Sequence, residues 1–344
     1  MMVRAFGWTA RPARMAGASI CVVLAVVTGA CGGKTHDASV TADGTPSPSS
    51  GCAARASARS GTVSLRYDGM NRSYDIVVPH TRSGVPMPLV LGYHGYGGSP
   101  LEQAASGLAD RALADGFVAV FPQGSNLGGS TPAYFNLETV DEQLLADDVG
   151  FTGALLDDVE ADLCIDRTRI YAMGMSNGGM FVSTLACKLN DRIAAVAPVA
   201  GVHLLPDCGG RPMPILITHG TSDPLVPFDE SDVSQIDATG LFEDTAGGSA
   251  QLRMFEKVVE TPVTSWVEAW ATHNGCSLEA PEVTTIENMV DRTVYTGCHD
   301  GGDVVLQAVE GGGHAWPTSP ALDATARALA FFEDHPLPRD ALGG

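Results

Sequence analysis

Apolar residues recur along this chain in two alternating forms, short unbroken runs and one-faced stripes of helical period. Val63 to Tyr67 and Ser73 to Val78 read as two strands joined through the turn dipeptide Asp68-Gly69, an antiparallel opening. Pro88 to Tyr93 is apolar on both faces, as a strand covered by helices on either side requires. Leu101, Ala104, Ala105, Leu108, Ala109, Ala112 and Leu113 form a helical stripe that Gly116 ends, and Phe117 to Phe121 reads as the next strand. A helix over Ala146 to Leu163 leads to a strand at Arg169 to Met173, and another helix follows Ser176. Ile193 to Val199, Ile215 to Thr218 and Val304 to Val309 are further short apolar strands, and Ala321 to Glu333 closes the chain as a helix. This alternation predicts an α/β fold with a mostly parallel central sheet and helices on both faces. Reactive groups in such a sheet sit on loops at the carboxyl ends of the strands.

The N-terminus breaks the pattern. Arg4, Arg11 and Arg14 precede an uncharged stretch from Met15 to Gly33 whose strongly apolar part is Ile20 to Val27. That is the layout of an export signal, and the apolar part is well short of the roughly 20 residues that span a bilayer. The run ends Val27-Thr28-Gly29-Ala30-Cys31, which resembles the lipobox of bacterial lipoproteins with Thr28 in place of the usual Leu. The expectation is a signal peptide over 1–30, lipid attachment at Cys31, and a small, polar, flexible tether to residue 50. One catalytic domain then fills 51–344, with contact to a membrane only through the lipid.

Composition narrows the partners. There are 40 acidic against 20 basic residues, a formal net charge of -20, which speaks against nucleic acid because such surfaces neutralise phosphate with clustered cations. Apolar residues make up 44% and charged residues 17%, enough to build a large core. Beyond Cys21 and Cys31, six cysteines remain: Cys52, Cys164, Cys187, Cys208, Cys276 and Cys298. In an exported domain they suggest three disulfides, and nearness along the chain favours Cys276 with Cys298 and Cys187 with Cys208. The rival, a zinc site, lacks paired C-x-x-C or H-E-x-x-H spacing, so no metal is expected.

Gly174-Met175-Ser176-Asn177-Gly178 matches G-x-S-x-G, a tight strand-to-helix turn whose small flanking residues let the serine protrude. A serine hydroxyl needs a base within hydrogen-bond reach, itself oriented by a carboxylate. Asp223 lies just past the run Ile215 to Thr218, and His314 lies in Gly311-Gly312-Gly313-His314 after the strand Val304 to Val309. Ser176, Asp223 and His314 thus form a candidate triad in α/β-hydrolase order, with His299 as the weaker alternative base. Donors for an oxyanion are expected from the backbone N–H of Asn177 and, in the loop Tyr93 to Ser99, of Tyr96. His94 and His219 each precede a glycine at a strand end and read as backbone-shaping.

The segments Gly174 to Met180, Asp147 to Phe151, Ala195 to Gly201, His219 to Pro227, Asn274 to Cys276 and Gly312 to Pro317 together resemble the secreted poly(3-hydroxybutyrate) depolymerases and feruloyl or acetyl xylan esterases of the α/β-hydrolase superfamily. The resemblance spans Val63 to Pro317 and implies the same triad and no cofactor. The family often has Pro-Asp-Gly where this chain has Pro122-Gln123-Gly124, and a Trp where Tyr134 and Phe135 stand; Tyr134, Phe135 and Trp316 are the pocket candidates. The resulting expectation is an extracellular or cell-surface serine esterase. Its substrates would be short-chain acyl, hydroxycinnamoyl or hydroxyalkanoate-oligomer esters, such as plant polysaccharide esters or polyesters. With no binding module after the helix ending near Glu333, native polyester granules are expected to turn over more slowly. A non-catalytic binding lipoprotein on the same fold is the alternative, and a serine peptidase a third. The acidic stretch Asp229 to Glu260 reads as either a lid or a solvated insertion.

Overall fold

A computed structural model describes residues 45–53, 60–80, 84–126, 133–139, 146–232 and 248–343. All belong to one compact unit, Ser39–Gly344. The expected signal peptide over 1–30 and lipid cysteine, Cys31, lie outside the described residues.

Ten strands form a single sheet. They are β1 (Gly61–Tyr67), β2 (Met70–Val77), β3 (Met87–Tyr93), β4 (Val118–Pro122), β5 (Ile165–Met175), β6 (Ala195–Val199), β7 (Ile215–Gly220), β8 (Ser277–Ile286), β9 (Val290–Thr296) and β10 (Val304–Val309). The spatial order is β1-β2-β4-β3-β5-β6-β7-β10-β9-β8. The middle six, from β4 to β10, pair in parallel, and an antiparallel hairpin finishes each edge.

The unbroken apolar runs are explained by what lies on the two faces. Along β3, Leu89, Leu91 and Tyr93 enter one core and Val90 the other; along β4, Val118 and Val120 face one side, Ala119 and Phe121 the opposite. A parallel strand in the middle of a doubly covered sheet has no solvent side, so alternation disappears from its sequence. The helices divide accordingly. α3 (Asp148–Asp162), α4 (Asn177–Lys188), α5 (Gly248–Val259) and α6 (Val263–His273) bury Phe151, Phe181, Val258 and Trp270 on the first face. The opposite face is covered by Leu108 and Ala112, from the helical segment after β3, and by Leu329 and Phe332 of α7 (Ala324–Glu333).

Several expectations change in detail. The helix read from Leu101 to Gly116 is broken into α1 (Pro100–Gln103), a π-helical turn over Ala104–Leu108 and α2 (Ala109–Asp115). The break falls where Gly107 takes φ 92°, a left-handed conformation that disrupts regular helix. The tether expected to run to residue 50 is partly built into the domain. Ser47 N–H donates to Asp166 Oδ1 (2.9 Å), Ser49 Oγ to Leu163 O (2.7 Å), and Arg339 Nε to Thr45 O (3.0 Å). Its small polar residues supply short-range donors and acceptors to the start of β5. Thr45, Ser47 and Ser49 thus already contact the domain, ahead of its expected start at 51.

All three disulfides are present: Cys52–Cys164, Cys187–Cys208 and Cys276–Cys298. The first joins residues 112 apart, and cross-links typically contribute about 2–4 kcal/mol by restricting the unfolded chain. Among the described residues no helix is long and apolar enough to cross a membrane.

Candidate active site

The strand order turns back between β3 and β5, whose successors run to opposite sides of the sheet. The carboxyl ends of adjacent strands splay there and leave a crevice. Tyr93 stands in register with Gly174, so the loops after β3 and β5 meet in that crevice.

Ser176 occupies the turn between β5 and α4 at φ 54°, ψ -122°, a region that non-glycine residues rarely adopt. Its backbone is held on both sides: Ser176 N–H donates to Val199 O (2.8 Å), and Met180 N–H donates to Ser176 O (2.8 Å). The turn is this sharp because α4 presses directly on β3. A Cβ on Gly178 would lie 2.3 Å from Tyr93 O, so only glycine permits the approach. Asn177 opens α4, where the first N–H groups of a helix have no intrahelical acceptor.

Asp223 follows β7 and His314 follows β10, and those two strands are parallel neighbours ending together at Gly220 and Val309. Backbone bonds close the loops onto each other: Thr221 N–H donates to Val309 O (2.9 Å) and Ser222 N–H to Gly312 O (2.8 Å). A Cβ on Gly220 would lie 2.2 Å from Gly312 O, which accounts for glycine there. This brings His314 Nδ1 within 2.8 Å of Asp223 Oδ2. Asp223 Oδ1 accepts from Leu225 N–H (2.8 Å) and Val226 N–H (3.0 Å), and Oδ2 also has His219 Nε2 at 3.3 Å. Burial by itself would raise the carboxyl, but hydrogen bonds from His219 and His314, together with their charge, outweigh it. Asp223 is held well below the usual carboxylate range.

Ser176 and His314 line one cavity of about 230 Å³. Gly95, Tyr96 and Asn177 also line it, and Leu137, Met175, Leu225, Met254 and Phe255 make much of the wall apolar. His94 shapes the first of these. Its Nε2 accepts from Gly124 N–H (3.0 Å), which leaves Nδ1 to donate to Gly95 O (2.7 Å), and burial lowers its pKa. His299 lies in the turn after β9, away from the cavity lining.

The expected pocket residues are not on the wall. Tyr134 and Phe135 are 1% and 0% exposed. Phe135 stacks on Phe181 with centroids 5.1 Å apart and meets the edge of Tyr93 at 5.1 Å, inside the core beneath the site. The cause is a clamp that the motif itself supplies: Asn177 Oδ1 accepts from Phe135 N–H (2.8 Å) and its Nδ2 donates to Phe135 O (2.9 Å). The segment is fixed further by Asp148, which accepts from Asn136 N–H (2.8 Å) while paired with buried Arg72, and by Thr184 Oγ1 donating to Leu137 O (2.9 Å). Phe135 and Leu137, two residues apart, are both buried, and of this segment Leu137 is the residue that reaches the cavity lining. Trp316 also misses the lining; its Nε1 donates to Thr325 Oγ1 (3.1 Å) and its ring packs with Val199, Ala200 and Ala324.

Met254 and Phe255 were not singled out from sequence. They come from α5, inside the stretch read as lid or insertion, and Met254 Sδ accepts from Leu137 N–H (3.2 Å). Of that stretch, 233–247 lies outside the described residues. The stripe Leu252, Phe255, Val258 and Val259 is the signal that marks this helix as core-facing. Among the described residues no group of three His, Cys, Asp or Glu side chains is arranged to hold a metal ion.

No protein-family model matches the chain. The chain is 30% identical to the putative esterase NocK of Nocardia uniformis subsp. tsuyamanensis, over 72% of each chain. It is 31% identical to feruloyl esterase B of Piromyces equi over 66% of this chain, but spans only 39% of that protein's length. Among solved structures, acetyl xylan esterase from Aspergillus awamori superposes with a TM-score of 0.54 at 12% identity, over 80% of this chain and 99% of that one. At that identity the likeness concerns the fold, which is that of the α/β-hydrolases.

Proposed function

Because this chain belongs to the esterase family that includes NocK and the feruloyl esterases, we propose that it hydrolyses carboxylic esters through Ser176, His314 and Asp223. The observation that carries the reading is the 2.8 Å contact from His314 Nδ1 to Asp223 Oδ2, with the same imidazole and Ser176 on one cavity wall. With Nδ1–H engaged by the carboxylate, Nε2 is the basic nitrogen and takes the proton as Ser176 Oγ attacks the ester carbonyl. Charge developing on the carbonyl oxygen meets the backbone N–H groups of Asn177 and Tyr96. The imidazolium then protonates the departing alcohol, and water attacks the acyl-enzyme by the same proton route in reverse.

Leu137, Leu225, Met254 and Phe255 favour an apolar acyl group, short-chain or hydroxycinnamoyl. Hydrolysis of p-nitrophenyl butyrate, methyl ferulate, acetylated xylan and polyhydroxybutyrate granules at equal enzyme concentration tests this. The soluble esters are expected to react faster than granules; rapid granule clearing with negligible turnover of the small esters would refute it.

Three disulfides support an oxidising compartment outside the cytoplasm. Attachment through lipid at Cys31 is the finer form of that reading. Cys31→Ser is expected to move the protein from the membrane fraction to the medium, and unchanged membrane retention would count against lipidation.

A further inference from the structure

Asp223 Oδ2 has a second imidazole beside it. His219 stands near the end of β7 with its side chain fully buried, its Nε2 3.0 Å from Val226 O and 3.3 Å from Asp223 Oδ2. Both neighbours of Nε2 are acceptors, so the ring hydrogen belongs on Nε2. Nδ1 is buried and has no hydrogen-bond partner among the described residues. Leaving a buried nitrogen unpaired is unfavourable, so filling space beside Phe228 does not explain a histidine there; an apolar ring would pack without that cost. What histidine adds is one N–H aimed at the turn that carries the carboxylate.

We infer that His219 is a positioning residue for the ester hydrolysis proposed above, holding Asp223 and its turn in register with His314. The geometry is a three-point restraint. Leu225 and Val226 N–H groups fix Oδ1, His314 Nδ1 engages Oδ2 from one direction, and His219 Nε2 approaches the same oxygen while gripping Val226 O. Without His219, Oδ2 has one side-chain donor and the turn loses the bond on its far end. Leu225, which belongs to the cavity wall, sits within that turn, so the restraint also fixes part of the pocket. The titratable side chains acting on Asp223 among the described residues are these two histidines. Removing the His219 donor therefore leaves a carboxylate that is a stronger acceptor toward His314, which favours the imidazolium and moves the acid limb of kcat/KM to higher pH.

The inference rests on the triad reading, so Ser176→Ala accompanies the test. His219→Phe keeps a ring and removes the donor; His219→Gln places an amide N–H near the position of Nε2. With p-nitrophenyl butyrate, His219→Phe is expected to lower kcat about tenfold, the scale of one ordinary hydrogen bond, with KM within about twofold. Its acid limb is expected to move to higher pH. His219→Gln should restore kcat to within about threefold and return the limb to its original place. Wild-type kcat and profile in His219→Phe would overturn the positioning role, as would a His219→Gln variant impaired equally despite an unchanged melting temperature. Should His219→Phe fail to fold, His219→Gln against His219→Asn decides, because the shorter amide cannot span to Oδ2; equal kcat and equal profiles in the two would overturn it. Full activity in Ser176→Ala would overturn the triad reading itself, whereas an inactive Ser176→Ala beside a wild-type-like His219→Phe would remove only the role of His219.

Discussion

Replacing Ser176 with alanine is expected to lower kcat/KM on a soluble ester by roughly 10⁴- to 10⁶-fold while the protein stays folded. The backbone of Ser176 donates to Val199 O and accepts from Met180 N–H, and alanine retains both bonds. Alanine also tolerates the positive φ no worse than serine, since each carries a Cβ. The loss should fall on the acylation step, because His314 would have no hydroxyl from which to take a proton. A matching melting curve together with near wild-type turnover would exclude Ser176 as the nucleophile. A fluorophosphonate probe should label the native chain at Ser176 and leave the alanine variant unmarked.

Asp223→Asn is expected to cost about 10⁴-fold in kcat with little change in KM, and the direction of the amide explains why. Oδ1 accepts from two backbone N–H groups, Leu225 and Val226, so an asparagine must keep its carbonyl oxygen there. Its NH₂ then replaces Oδ2 and points a donor at His314 Nδ1. Nδ1 can satisfy that donor only as an acceptor, which moves the ring hydrogen to Nε2 and blocks the nitrogen that should receive the proton from Ser176. A folded variant within about tenfold of the wild type would show that this carboxylate does not set the tautomer.

The same carboxylate fixes a sign for acid stability. Its pKa is depressed on folding, so the stability it contributes is fully present above the ordinary carboxylate value of about 3.9 and is lost as pH falls from there toward the folded value. Protonation of Asp223 therefore takes no part in activity changes above about pH 4.

Much of the central sheet could be read from the chain because burial on both faces leaves runs such as Leu89 to Tyr93 with nothing polar between them. The candidate triad was equally readable, since each member follows one of those runs at its carboxyl end. The hairpin β8–β9 was not. β8 has exposed residues over most of its length, contains Pro281, and takes a register break after Ser277, so it carries neither alternation nor an apolar run. Helices α5 and α6 were hidden differently. The acidic residues before them mask the periodicity, although the spacing of Leu252, Phe255 and Val258 carries a helical period. Tyr134 and Phe135 show a third kind of failure. Resemblance placed them at the pocket, but which way an extended segment faces is decided by its partners, here the amide of Asn177, and a shift of one residue reverses the result.

The cavity takes its walls from Gly95, Leu137, Ser176, Leu225, Met254 and His314, six stretches scattered over most of the domain. The set runs from residue 95 to residue 314. Contacts between residues so distant in sequence must first overcome the entropy of closing long loops. On the proposed triad, turnover of a chromogenic ester is therefore a gauge of complete folding: a chain that has collapsed with correct secondary structure, yet has not docked β10 beside β7, would hold Ser176, Asp223 and His314 apart and is expected to turn the ester over far more slowly.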